Sequence, residues 1–159
     1  MVAERRTGSP GPRRLLVAVA VMAAVVLIDQ LTKWWAVTRL VSGPIHVIGT
    51  LDLELSRNTG VSFSLFQGKA FVVIPVAVVL VAGLVIMAWH APSAGRAVLL
   101  GLILGGAVGN LCDRAFRDHG AVVDFIALHF WPTFNVADAS IVIGCLLLVV
   151  SLIRSPRAE

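Results

Sequence analysis

Charge is scarce in this chain. Asp, Glu, Lys and Arg make up 14% of its 159 residues while 58% are apolar, against roughly 25% charged and 45–50% apolar in soluble domains. That shortage, with a mean hydropathy of +0.91, excludes an ordinary water-soluble globule and places the chain in the integral membrane class. Cysteine is equally scarce. The two present, Cys112 and Cys145, lie in different apolar runs with no Cys-x-x-Cys or Cys/His spacing, so neither a disulfide framework nor a zinc site is supported. His46, His90, His119 and His129 form no His-Glu-x-x-His, and Gly-x-Ser-x-Gly and Gly-x-Gly-Asp are also missing. The histidines therefore read as interfacial or loop residues rather than ligands, and no metal or other cofactor is expected. The net charge of +4 does not make a nucleic-acid surface, because the arginines flank apolar runs instead of sharing one basic face.

What is abundant is apolar sequence in long runs. Four of them, residues 15–36, 71–89, 97–112 and 136–153, approach the ~20 residues needed to cross ~30 Å of hydrocarbon. The expected architecture is an all-α membrane protein, one integral membrane domain over residues 1–159, with four transmembrane helices and outer connections at residues 37–70 and 113–135. The unbroken part of the first run, Leu15 to Ile28, reaches only about 21 Å as a helix, which leaves Asp29 and Lys33 within or at the far rim of the bilayer. Arg5, Arg6, Arg13 and Arg14 ahead of it would suit a signal peptide, but no small-residue cleavage site follows, so the run is expected to remain as the first helix.

An inside N-terminus puts seven bases (Arg5, Arg6, Arg13, Arg14, Arg96, Arg154, Arg157) in the cytoplasm and six (Lys33, Arg39, Arg57, Lys69, Arg114, Arg117) outside. The inner bases occupy very short segments, where the positive-inside rule is strongest. Counting crossings from there gathers Asp29, Lys33, Asn110, Asp113 and Asp138 at the outer leaflet, while the inner ends carry only basic flanks. Trp34, Trp35 and Trp131 would mark the outer interface and Trp89 the inner one.

The first outer connection holds Ile45-His46-Val47-Ile48 and the alternating Leu51-Asp52-Leu53-Glu54-Leu55, which predict a short sheet or hairpin on the membrane surface. Asn58-Thr59-Gly60 follows as a turn. In the second connection a surface helix or loop is expected around Arg117 to Gly120, extended chain from Ala121 to Ile126, and a helix stop at Pro132. Gly101, Gly105 and Gly109 recur every four residues, a stripe that lets another helix approach closely. Asp113 continues that stripe, with Asn110 and Arg114 beside it, so the polar end of the run points into the bundle.

A carboxylate at the hydrocarbon edge is unfavourable unless paired or wetted. Asp124 and Asp138 lie 14 residues apart with Phe130-Trp131-Pro132 between them, so only a loop that folds back brings them together. Adjacent carboxylates share a proton: the ionised member can take a proton from water while the protonated one polarises a carbonyl. The same residues admit a structural reading, with Asp138 as N-cap of the last run and Asp124 as ion-pair partner of Arg114. A transporter or proton relay would need polar residues along a full path, but the inner halves of all four runs are apolar. A structural assembly subunit would use the glycine stripe but not the outer acids.

Five stretches, in order, resemble the lipoprotein signal peptidase (signal peptidase II) family: Asp29-Gln30-Leu31-Thr32-Lys33, Asn58-Thr59-Gly60-Val61-Ser62-Phe63-Ser64, Gly105 through Arg114, Val123-Asp124-Phe125, and Phe134-Asn135-Val136-Ala137-Asp138. The termini, the first outer strand region and the inner connection fall outside the resemblance. It implies an aspartyl endopeptidase of the bacterial cytoplasmic membrane that removes signal peptides from prolipoproteins, cutting before a cysteine that carries diacylglycerol; a monomer is expected. Lipid-modified precursors and membrane lipid are then the partners, with both termini cytoplasmic and the active site at the outer leaflet. By the same resemblance Asp124 and Asp138 are the catalytic pair, and Asn110 and Arg114 line the substrate cleft. Asn58 and Gly60 belong to an outer loop closing over it, Asn135 precedes the second aspartate, Asp113 is a structural acid, and Asp29 with Lys33 end the first helix. Cys112 is a small apolar filler.

Overall fold

The computed structural model describes residues 11–59 and 70–154. In chain order the elements are helix α1 (Pro12–Arg39), strands β1 (Ile45–Ile48) and β2 (Leu51–Asn58), helices α2 (Ala70–Trp89) and α3 (Ala94–Phe116), strands β3 (Val122–Leu128) and β4 (Trp131–Phe134), and helix α4 (Val136–Ile153). Short 3-10 turns occupy Leu40–Ser42 and Asp118–Gly120. Among the described residues, α1, α3 and α4 are each long and apolar enough to cross a membrane. The further helix α2 is apolar too, and it carries Pro75 in its interior.

Two helices overrun the apolar limits read from the sequence. Pro12 opens α1 at its first turn, where its missing N–H is no loss, and the helix continues past Asp29 and Lys33 to Arg39. Ser93 caps α3 by accepting from the Arg96 amide at 3.2 Å. That helix runs on to Phe116, so Asp113 and Arg114, expected in an outer connection, are helical. The physical reason is the same in both cases: the polar residues at these ends find partners on other elements, so the helices need not stop where apolar sequence does.

Glycines set the spacing of the bundle. A Cβ on Gly101 would lie 2.7 Å from the Ala18 carbonyl oxygen, and one on Gly105 would lie 2.5 Å from Val25 Cβ. One turn later Gly109 faces the Asp29 carboxylate, so the stripe of α3 is spent on α1. On another side of α3, Gly106 meets the Ala137 backbone, and Gly144 of α4 packs against Leu102 and Ile103. Helix α3 is thus held between α1 and α4, with Ala18, Ala97, Leu100 and Leu104 in the buried core. Leu27, Ile28, Leu31, Val142 and Leu146 are exposed on the outside, a surface that suits hydrocarbon.

Both connections build one antiparallel sheet in the order β1-β2-β3-β4. The sequence predicted β1, β2 and the extended segment of β3, but neither β4 nor their union. Pro132 sits in β4, an edge strand, where its missing donor breaks no ladder. The expected surface helix or loop is the 3-10 turn at Asp118–Gly120, with His119 left-handed at φ 57°. Phe125 of β3 packs with Ala36 and Leu40, fastening the sheet to the end of α1. Farther out, Asp52 accepts from His129 at 3.0 Å and His46 at 2.6 Å. Those two hydrogen bonds hold its carboxyl below the usual carboxylate range.

Candidate active site

Where α1, α3, β3 and α4 meet, a buried ion cluster forms. Asp29 and Lys33 stand one turn apart on α1 with fully buried side chains, and the Lys33 ammonium lies 2.8 Å from Asp29 Oδ2. It also lies 3.0 Å from Asp113 Oδ2 and donates to Asn110 Oδ1 at 2.9 Å. Its three N–H donors therefore each have an acceptor, the condition under which a buried ammonium is tolerated. The acids are bound as fully. Asp29 Oδ1 accepts from the Ala137 amide and Asp113 Oδ2 from the Val123 amide, each at 3.0 Å. Each carboxylate thus grips the residue immediately before Asp138 or Asp124.

Asp124 and Asp138 approach from different elements. The β3–β4 hairpin is the fold-back that the sequence required, since it returns the chain so that α4 begins beside β3. Asn135 is the N-cap of α4: its Oδ1 accepts from the Asp138 amide at 2.9 Å, and Asp138 Oδ2 accepts from the Asn135 amide at 3.2 Å. Asp138 therefore stands at the third helical position of a capping box. The N-cap itself, read as one alternative for Asp138, belongs to Asn135.

Two asparagines join the acids. Asn135 Nδ2 donates to Asp124 Oδ1 at 2.6 Å and to Asn110 Oδ1 at 3.2 Å, while Asn110 Nδ2 donates to Asp138 Oδ1 at 2.8 Å. Asn58 at the end of β2 donates to Asp124 Oδ2 at 3.2 Å. Burial, and next the charge of Asp138, push the Asp124 carboxyl up to about 6, against the lowering effect of the Asn135 and Asn58 hydrogen bonds. Arg114 donates to the Asn110 carbonyl at 3.3 Å and is attracted electrostatically by both aspartates.

Asp124 and Asp138 open onto one cavity of about 660 Å³. Its polar end consists of Asn58, Asn110, Arg114 and the two acids, and the rest is mainly apolar: Val76, Ala77 and Leu80 of α2, Ala107 of α3, Ile141 and Val142 of α4, with Trp131 and Phe134 of the hairpin. Acids at the head of an apolar trough can perform acid–base chemistry on a polar group carried by an apolar ligand.

Of the residues singled out from sequence, Asn58, Asn110, Arg114, Asp124 and Asp138 line this cavity. Asp29, Lys33, Asp113 and Asn135 are buried behind it. Gly60, together with Val61 to Ser64, lies outside the described residues. Sequence reasoning passed over Gln30 and Arg117, which bind Asp113. Gln30 stood inside a quoted motif, and Arg117 sits one turn after Asp113, so helical spacing was the available signal. The apolar wall from α2 carried no signal that separates it from any lipid-facing helix.

The chain is 44% identical over 158 residues to a protein of Mycobacterium avium (strain 104) named lipoprotein signal peptidase, covering 92% of this chain and 87% of that one. It is 45% identical over 144 residues to a lipoprotein signal peptidase of Rhodococcus jostii (strain RHA1), covering 87% and 72%. A solved structure described as a bacterial membrane enzyme superposes with a TM-score of 0.79 at 28% identity, covering 89% of this chain and 93% of that one. The family described as Signal peptidase (SPase) II matches residues 21–154, most of the sequence, and the chain belongs to that family.

Proposed function

We propose that the protein is a membrane aspartic endopeptidase that removes the signal peptide from diacylglyceryl-modified prolipoproteins, with Asp124 and Asp138 as its catalytic pair. The observation that carries this reading is that both acids, from separate elements, open onto a single cavity whose remaining wall is mainly apolar. Asp124 keeps the shared proton, because burial and the neighbouring charge oppose its ionisation. Asp138 then takes a proton from water, the water oxygen bonds to the scissile carbonyl carbon, and the Asp124 proton goes to the carbonyl oxygen. Collapse of the tetrahedral intermediate returns a proton to the departing amide nitrogen and breaks the C–N bond. Asn110 and Asn135 hold the two carboxylates in register throughout.

The trough between α2, α3 and α4 receives the apolar part of the signal peptide, while the acyl chains of the modified cysteine remain in lipid. All four helices cross the membrane, with both termini cytoplasmic and the active site at the outer leaflet. This orientation rests on the short basic flanks at the opposite end of the bundle. The enzyme acts as a monomer, since the described chain contributes every residue the mechanism uses.

Asp124→Asn and Asp138→Asn should each lower cleavage of a diacylglyceryl-modified precursor at least about a hundredfold while membrane insertion is unchanged. Turnover retained in either variant discards the pair. The precursor without its lipid is the matching control, and equal turnover of the two forms would remove diacylglycerol from the specificity.

A further inference from the structure

Asp113 is gripped from two directions. Its Oδ2 faces inward to Lys33 and to the amide of Val123, the residue before Asp124. Its Oδ1 is held by Arg117 Nε at 2.8 Å and by Gln30 Nε2 at 3.0 Å. Arg117 Nη2 donates to Gln30 Oε1 at 3.4 Å, and Gln30 Nε2 is tied to the Gly109 carbonyl at 3.2 Å and to Asp29 Oδ2 at 3.2 Å. Arg117 caps α3 through its own amide, which donates to the Asp113 carbonyl at 2.8 Å, and its side chain is only 25% exposed.

The formal charges explain why a second cation is needed. Asp29, Asp113 and Lys33 sum to −1 in a fully buried cluster, and Arg117 brings the sum to zero. An uncompensated buried carboxylate is unstable: it takes up a proton or turns toward water. Turning away removes the acceptor of the Val123 amide, and protonation exchanges a charged acceptor for a weaker neutral one. We infer that Arg117, oriented by Gln30, is a positioning residue for the reaction, holding the Asp113 carboxylate so that it clamps β3 and fixes where Asp124 meets Asp138. The inference rests on the proposed function, in which Asp124 is one of the acting acids. Asp138 is held by Asn110, by its capping box with Asn135 and by the Asp29 bond to Ala137, none of which bonds Arg117 directly. Asn135 also joins it to Asp124, so loss of Arg117 loosens the β3 side of a shared network and shifts one acid relative to the other. Arg117 does not line the cavity, so binding of the precursor is untouched.

The test uses the full-length protein in bilayers and measures kcat and KM separately on a diacylglyceryl-modified precursor. Cleavage by the unsubstituted protein, measured first, tests the proposed function independently of this inference. Arg117→Gln should lower kcat about tenfold, as a misplaced reacting group does, with KM held to within about twofold. Arg117→Lys, which keeps the charge, should recover most of the loss. Gln30→Leu should show the same signature more weakly, and the double variant should be no worse than Arg117→Gln, because both act through one carboxylate oxygen. Wild-type kcat in Arg117→Gln overturns the inference. So does a fall in kcat that Arg117→Lys fails to recover and that tracks a lowered melting temperature, or an additive double variant.

Discussion

Asp124 bears its negative charge against resistance, and that resistance has consequences for stability as well as for chemistry. Its carboxyl is raised from 3.8 to about 6, so between those values the folded protein binds a proton that the unfolded chain has released. Stability therefore falls as pH rises through about 6 and stays lower above it. The difference is on the order of 3 kcal/mol. Asp124→Asn cannot ionise, so this variant should melt higher than the wild type at pH 8, and the gap should close near pH 4. Equal melting curves at pH 8 would show that the site carries no such strain. In the proposed mechanism the same residue sets the activity profile: if Asp124 must carry the proton, kcat/KM should decline on the alkaline side with an apparent value near 6. The Asn58 hydrogen bond favours the ionised form, so Asn58→Ala should move that alkaline limb to higher pH. A limb that moves down instead would contradict the assignment of the proton to Asp124.

Helix α3 organises everything around it, and its glycines show how closely. Gly109 stands where a Cβ would come within 2.7 Å of Asp29 Oδ2, so Gly109→Ala should push that carboxylate off the Ala137 amide. The expected result is a loss of about 1–3 kcal/mol, read as a lower melting temperature, together with loss of cleavage. Gly95→Ala, whose added carbon would find only Ser93 Oγ at 3.8 Å, is the control and should be near neutral in both measurements. The stripe was legible in the sequence because helical spacing is local. So were the four helices, the β1–β2 strands and the identity of the polar residues at the helix ends. What the sequence could not supply was pairing. That Lys33 reaches Asn110 across 77 residues, or that Asp113 holds the Val123 amide, depends on how α1, α3 and β3 pack. Strand β4 was hidden for a related reason: it is four residues long and contains proline, and its partner β3 is what makes it a strand.

For the whole molecule, the buried acids of the described residues gather at one end of the bundle, while the other end carries basic residues such as Arg14 and Arg96. The exposed side chains of α4, among them Val142, Ile143, Leu146, Val149 and Val150, have no soluble counterpart and need hydrocarbon around them. Cys145 lies on that same exposed surface, nine residues into α4 and so about 14 Å from its polar start. A thiol must ionise to react, and charge is strongly opposed in the middle of a bilayer. In a Cys112→Ala background, Cys145 should therefore resist a membrane-impermeant maleimide added to either side of intact membranes. After denaturation in detergent it should react in full. Labelling in intact membranes would mean that this face of α4 meets water, and the crossing of α4 with its outward acids at the bilayer rim would have to be abandoned.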